Sequence, residues 1–367
     1  MLKQILFLTF FLFGTLQAEL SLEEKVGQLF FGFVYGESLD ESSKAFLQRT
    51  CLGNVVYYRW ANALTSPAQV RALSEQLTET ITVAPPIIAV DQEGGRVCRL
   101  THGFTAFNTN SVLGALEDPS IVHNAGVTIA KELADCGINM NFAPVVDVNS
   151  NPDNPVIGSR SYHSDPDVVV AMARQFMAGH KQARILTALK HFPGHGDTNL
   201  NSHHSLPVIS KSLEQLEQTE LLPFKALAGQ VDMIMTAHIL VPALDPNSPA
   251  TFSAPILTGL LRGQWGYQGI VISDSLVMRA AAPNQSNFEE AVVSVSRASI
   301  SAFNAGCDCL IIGALEWADF TAPPQQNLLL IERVITSFTE AVRAGHIDLD
   351  QVEVSYNRVM SLKHNIQ

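Results

Sequence analysis

The chain alternates between short, nearly unbroken apolar runs and longer stretches in which apolar residues recur every three or four positions. Eight runs read as strands: QLFFGFVYG (28–36), GNVVYYR (53–59), PIIAVDQ (86–92), INMNFAPVVDV (138–148), ILTALKHF (185–192), VDMIMTAHIL (231–240), GIVISDSL (269–276) and CDCLIIGA (307–314). Amphipathic stretches lie between most of them, at 66–81, 118–136, 165–182, 211–230 and 287–305. A strand that is apolar on both sides is buried on both sides, as in a parallel sheet covered by helices. Eight such units in 367 residues predict an α/β protein, a single (β/α)8 TIM barrel rather than an open doubly wound sheet. No Gly-x-Gly-x-x-Gly follows the first run, which counts against a dinucleotide fold.

The N-terminus departs from this pattern. It carries Lys3, an apolar run from Ile5 to Phe13, and then Gly14, Thr15 and Ala18. A basic start, a hydrophobic segment too short to span a bilayer and a small residue before cleavage form a secretory signal. Residues 1–18 are therefore expected to be a signal peptide, 19–367 the barrel domain, and the protein to be exported, periplasmic or secreted. The competing reading is a buried N-terminal helix. Ser21 and Glu24, just beyond, have the spacing of a capping box. No later apolar run reaches the ~20 residues of a membrane span. The net charge of −12, with scattered basic residues, argues against nucleic acid and anionic membrane surfaces as partners. The five cysteines contain no C-x-x-C pair, and Cys307 and Cys309 sit in an apolar run as core residues.

A barrel gathers its chemistry at the carboxyl ends of its strands. Asp91 ends the third run, Asp147 the fourth, Lys190 and His191 the fifth, His238 the sixth and Asp274 the seventh. One such aspartate is explained equally well as a helix cap, but ionisable residues on five of eight strands are not. After the fifth run comes the loop GHGDTNLNSHHSLP (194–207). Its histidines do not have metal-ligand spacing: Pro193 and Gly194 separate His191 from His195, and His203 and His204 are adjacent. There is no H-E-x-x-H, no Cys–His pairing and no phosphate-cradling G-x-x-x-x-G-K-[ST], so the loop is expected to hold neither a metal nor a phosphate. Asp274, between Ser273 and Ser275 whose hydroxyls would hold it ionised, fits a carboxylate nucleophile. That chemistry needs a second group to protonate the leaving oxygen and then activate water, and a loop histidine can serve.

Five blocks carry a resemblance: VDQEGGRV (90–97), NPVIGSRSY (154–162), KHFPGHGDTNLNSHHSLP (190–207), MTAHI (235–239) and ISDSL (272–276). In this order they resemble the β-N-acetylhexosaminidase branch of family 3 glycoside hydrolases. The resemblance implies a cofactor-free barrel that removes terminal β-linked N-acetylglucosamine with retention, commonly from peptidoglycan fragments (muropeptides). It implies Asp274 as nucleophile, His203 as acid/base, and Asp91, Arg160, Lys190 and His191 as holders of the sugar hydroxyls. Asp147 and His238 are expected as supports, His195 as a pin at the loop base, and the chain as a monomer. One departure stands out. The family usually has Asp two residues before the histidine, and this chain has Asn201. An amide orients an imidazole but does not stabilise its protonated form. A lower His203 pKa follows, unless Asp197 folds back to substitute. The alternative reading is a protein that binds a sugar or peptidoglycan fragment with weakened catalysis. A β-glucosidase is disfavoured by HFPGHG and by the chain's length.

Overall fold

The computed structural model describes residues 20–202, 205–317, 320–364 and 366. All eight expected strands are present: β1 (Phe30–Gly32), β2 (Asn54–Tyr57), β3 (Ile87–Val90), β4 (Met140–Asn141), β5 (Leu186–Phe192), β6 (Met233–Thr236), β7 (Ile270–Ser275) and β8 (Cys309–Ile311). Each pairs in parallel with the next, and β8 closes onto β1 through Phe30↔Leu310. Their residues are buried apart from the last two of β7, Asp274 and Ser275, which are half-buried. The TIM barrel is the architecture of this chain.

The helices begin where local chemistry sets them. Ser66, Asp118 and Asp165 each cap a helix whose first residue is proline, giving Pro67–Thr80, Pro119–Asp135 and Pro166–Gln182. The cap oxygen accepts from an otherwise unpaired N–H, and the proline lacks an N–H that would have had no partner there. The Ser21–Glu24 capping box forms as expected. Asn287 caps Phe288–Ala305. The stretch expected as one element over 211–230 is divided into Leu213–Gln218 and Leu221–Leu227. Pro223 has no N–H to offer the carbonyl four residues back, so the helix cannot run through. Helices Glu41–Thr50, Pro324–Arg343 and Leu349–His364 and the π-helical Pro255–Gln264 complete the wall.

The run expected over 138–148 narrows to Met140–Asn141, because Pro144 has no N–H for the ladder. Beyond it only Val145 rejoins, as an isolated bridge to Lys190. Asp147 therefore arrives on a loop rather than a strand. Cys307 and Cys309 are core residues, and the five cysteines are free. Among the described residues no helix is long and apolar enough to cross a membrane. The proposed signal segment, 1–18, lies outside them.

A buried histidine gives the fold a measurable pH response. His180 shares a hydrogen bond with Asn141 Nδ2 at 3.0 Å, and Asn141 exchanges two bonds with the backbone of Gln92, beside Asp91. Burial pulls His180 down to about 4, and burial likewise pulls His195 down to about 4. The unfolded chain's imidazoles protonate near ~6.5. Between about pH 6.5 and 4 the unfolded state takes up protons that the folded state refuses, so stability falls as pH falls and levels off below. The loss is on the order of 3 kcal/mol per ring. Urea midpoints at pH 7.5 and 4.5 check this, and a flat response contradicts it.

Candidate active site

The carboxyl ends of the strands surround a cleft of about 300 Å³. Its lining includes Asp91, Arg160, Lys190, His191, Asn201 and Asp274. Five of the six residues expected from sequence thus share one cavity. The sixth, His203, lies outside the described residues, as does His204.

The cavity floor is an interlocked charge cluster. Lys190 Nζ, 2% exposed, lies 2.7 Å from Asp91 Oδ1 and 2.6 Å from Glu93 Oε1. Arg160 holds Glu93 with a fork, Nε to Oε2 at 2.9 Å and Nη2 to Oε1 at 2.7 Å. Burial pushes the Glu93 carboxyl up, but Arg160 and Lys190 outweigh it and hold it at about 2. Burial also works against ionised Asp91, and Lys190 and Arg99 outweigh it, keeping Asp91 below the usual range. Arg160 is no surface residue, and Lys190 pairs with neither Asp147 nor Asp274. Glu93 escaped the sequence reading although it stands two residues past Asp91. The chain turns at Gly94 and Gly95, with φ of 95° and 60°, which residues with side chains rarely adopt. That turn starts the Gln92–Cys98 hairpin on which Glu93 faces Lys190.

Asp147, fully buried, organises the β5 end. Its Oδ2 accepts from His191 Nδ1 at 2.7 Å. Its Oδ1 accepts from the backbone N–H of His191 at 3.1 Å and of His195 at 2.7 Å. Burial disfavours this carboxylate, and the neighbouring imidazoles outweigh that, holding its pKa low. His191 Nε2 is left facing Arg160 Nη2 at 3.4 Å. Asp147 is thus the support it was expected to be.

Asp274 sits near the end of β7 with Oδ1 accepting from the backbone N–H of Ser275 at 2.7 Å. The expectation that both flanking hydroxyls hold this carboxylate is corrected: Ser275 meets it through its backbone N–H, and Ser273 turns toward the neighbouring strand. Its Oγ accepts from Ile311 N at 3.0 Å, because successive strand side chains face opposite ways. His238 braces the same segment, Nε2 donating to Ser275 O at 3.1 Å and Nδ1 meeting Thr251 Oγ1 at 2.8 Å.

The loop base is tied down as expected. His195 Nδ1 lies 2.8 Å from Thr198 Oγ1 and Nε2 lies 3.2 Å from Ser202 Oγ. Gly196 lies so close to Val148 that a Cβ would stand 1.7 Å from its carbonyl oxygen. Asp197 pairs with Lys211 at 3.6 Å and accepts from Ser150 Oγ at 3.3 Å. In this arrangement it anchors the loop base.

A carboxylate at a barrel rim, opposite a set of cations and carboxylates suited to hydroxyl groups, is a glycosidase-like arrangement. Comparison with known proteins agrees. Residues 21–362 match the model of the glycosyl hydrolase family 3 N terminal domain. The chain belongs to glycosyl hydrolase family 3. It is 38% identical over 294 residues to a beta-hexosaminidase of Alkalilimnicola ehrlichii, covering 78% of this chain and 80% of the relative. It is 36% identical over 319 residues to beta-hexosaminidase A of Pseudoalteromonas piscicida, covering 82% of this chain and 50% of the relative. The chain thus spans half the length of that relative. Among solved structures, a family 3 beta-N-acetylglucosaminidase from Paenibacillus superposes with a TM-score of 0.84 at 36% identity, covering 95% of this chain and 63% of that one. A beta-N-acetylhexosaminidase from Beutenbergia cavernae gives 0.79 at 30%, covering 95% of this chain and all of that one.

Proposed function

We propose that this family 3 member is a retaining exo-β-N-acetylglucosaminidase that removes terminal N-acetylglucosamine from peptidoglycan fragments. The observation that carries the reading is one cleft that joins Asp274 to Asp91, Lys190, Arg160 and His191, with Glu93 buried behind Lys190 and Arg160. Carboxylates accept and cations donate, so a cluster of both reads the several hydroxyls of a terminal sugar ring. Asp274 Oδ attacks the anomeric carbon as the glycosidic bond breaks. The leaving oxygen takes a proton from His203, which then removes one from the water that releases the sugar. The relatives named above carry hexosaminidase or N-acetylglucosaminidase names, which supports the N-acetylated sugar over glucose. We also infer export, from the residue order of segment 1–18, and the N-terminal sequence of the native protein checks it.

The test is hydrolysis of 4-nitrophenyl β-N-acetylglucosaminide against the matching β-glucoside, and of a muropeptide against chitobiose. Turnover of the N-acetyl substrate alone is expected. Binding of N-acetylglucosamine without turnover would favour the second reading, a binding protein with weakened chemistry, for which Asn201 is the motivating observation. Asn201→Asp is expected to raise the pKa of the acid limb of the acid/base group, moving the pH optimum upward and increasing kcat for poor leaving groups by about tenfold. An unchanged rate and pH profile would mean that Asn201 does not limit the proton transfer.

A further inference from the structure

The charge cluster on the cavity floor is suited to the terminal sugar, which leaves open what receives the leaving group at the mouth. Trp60 follows β2 in the helical turn Arg59–Asn62. Its ring stacks on Tyr58, with centroids 4.9 Å apart and planes 18° apart, and meets Phe33 edge-on at 5.0 Å. Tyr58 in turn lines the active-site cleft. The turn is fastened from both sides. Asn62 accepts from Tyr58 N at 3.1 Å and donates to Val34 O at 2.9 Å, while Arg59 donates to Cys98 O at 3.1 Å, at the end of the hairpin that carries Glu93, and to Thr101 Oγ1 at 2.9 Å just beyond it. Trp60 is nonetheless 46% exposed, the only exposed aromatic among residues whose side chains are described.

A single exposed apolar residue is ordinary. This one is a large ring, immobilised on the aromatic residue that lines the cleft, next to that cleft and still largely open to solvent. We propose that Trp60 is a platform for the leaving group, stacking on the C–H face of the substrate's second pyranose ring; the proposal rests on the glycosidase reading above. A β-linked pyranose directs its hydroxyls outward around the ring and leaves a flat face of C–H bonds. A rigid indole covers such a face with little loss of side-chain freedom. Trp60 would then set specificity for what is attached to the terminal sugar, without touching the bond that breaks.

Two substrates separate this from the underlying reading. N,N′-diacetylchitobiose has a second ring, and β-N-acetylglucosaminyl fluoride has none. The ratio of their kcat/KM values is expected to fall about tenfold in Trp60→Ala, mainly through KM for chitobiose, and to recover most of that in Trp60→Phe. A ratio within about twofold of wild type in Trp60→Ala overturns the platform while leaving the glycosidase reading intact. A wild-type protein that turns over neither substrate overturns both.

Discussion

Asp274→Ala is expected to abolish turnover, lowering kcat at least about 10³-fold, while the protein still folds and binds N-acetylglucosamine. Asp274 is half-buried, and its Oδ1 accepts from the backbone N–H of Ser275. In the proposed mechanism the loss of Asp274 also leaves space beneath the anomeric carbon. Azide entering that space attacks from the face Asp274 occupied, and with an activated leaving group gives the α-glycosyl azide, the opposite configuration from the normal product. Restored turnover that yields a β-azide would place the nucleophile elsewhere, as would a loss smaller than about tenfold.

Lys190→Met has the other large expected effect, and it acts on stability as well as binding. Lys190, itself buried, stands between two carboxylates at 2.7 and 2.6 Å. Replacing only the cation leaves Asp91 and Glu93 facing each other, with Arg160 and Arg99 as their remaining partners. Removing one member of a buried charge cluster costs about 3–5 kcal/mol, and urea unfolding at pH 7.5 reads it. The sign with pH follows from the carboxyls. Without Lys190 their folded pKa values rise, so lowering the pH toward 5 protonates them in the folded state and shrinks the deficit relative to wild type. A deficit under about 1 kcal/mol, or one that grows on acidification, would mean that Lys190 is not what holds these groups ionised.

The parts of the molecule legible in the sequence are those set by local or one-dimensional patterns. A barrel strand buried on both faces must be apolar throughout, which is why all eight strands stood out, down to three-residue pairings such as β1 and β8. Helix starts at Ser66-Pro67, Asp118-Pro119 and Asp165-Pro166 were legible because a cap and a first-turn proline act within a few residues. Asp91, Lys190, His191 and Asp274 line one cleft because strand ends meet at one rim, and Arg160 joins them from the Gly158–Arg160 turn. Glu93 was not legible, because its role depends on a glycine turn and on a lysine that only barrel closure brings near. The face of Ser273 was misread because neither serine beside Asp274 declares which neighbour its hydroxyl will meet. Trp60 was passed over for the same kind of reason. Its meaning comes from Tyr58 and Phe33, and from a cleft that no linear pattern outlines.

The central claim is that Asp274 bonds covalently to the terminal N-acetylated sugar during turnover. Incubation with a 5-fluoro β-N-acetylglucosaminyl fluoride, which slows release of the intermediate more than its formation, tests this most directly when followed by peptide mass mapping. The expected result is one sugar per chain on the peptide that contains Asp274, lost on standing as activity returns. Labelling of another carboxylate, or turnover with inversion and no adduct, would contradict the account.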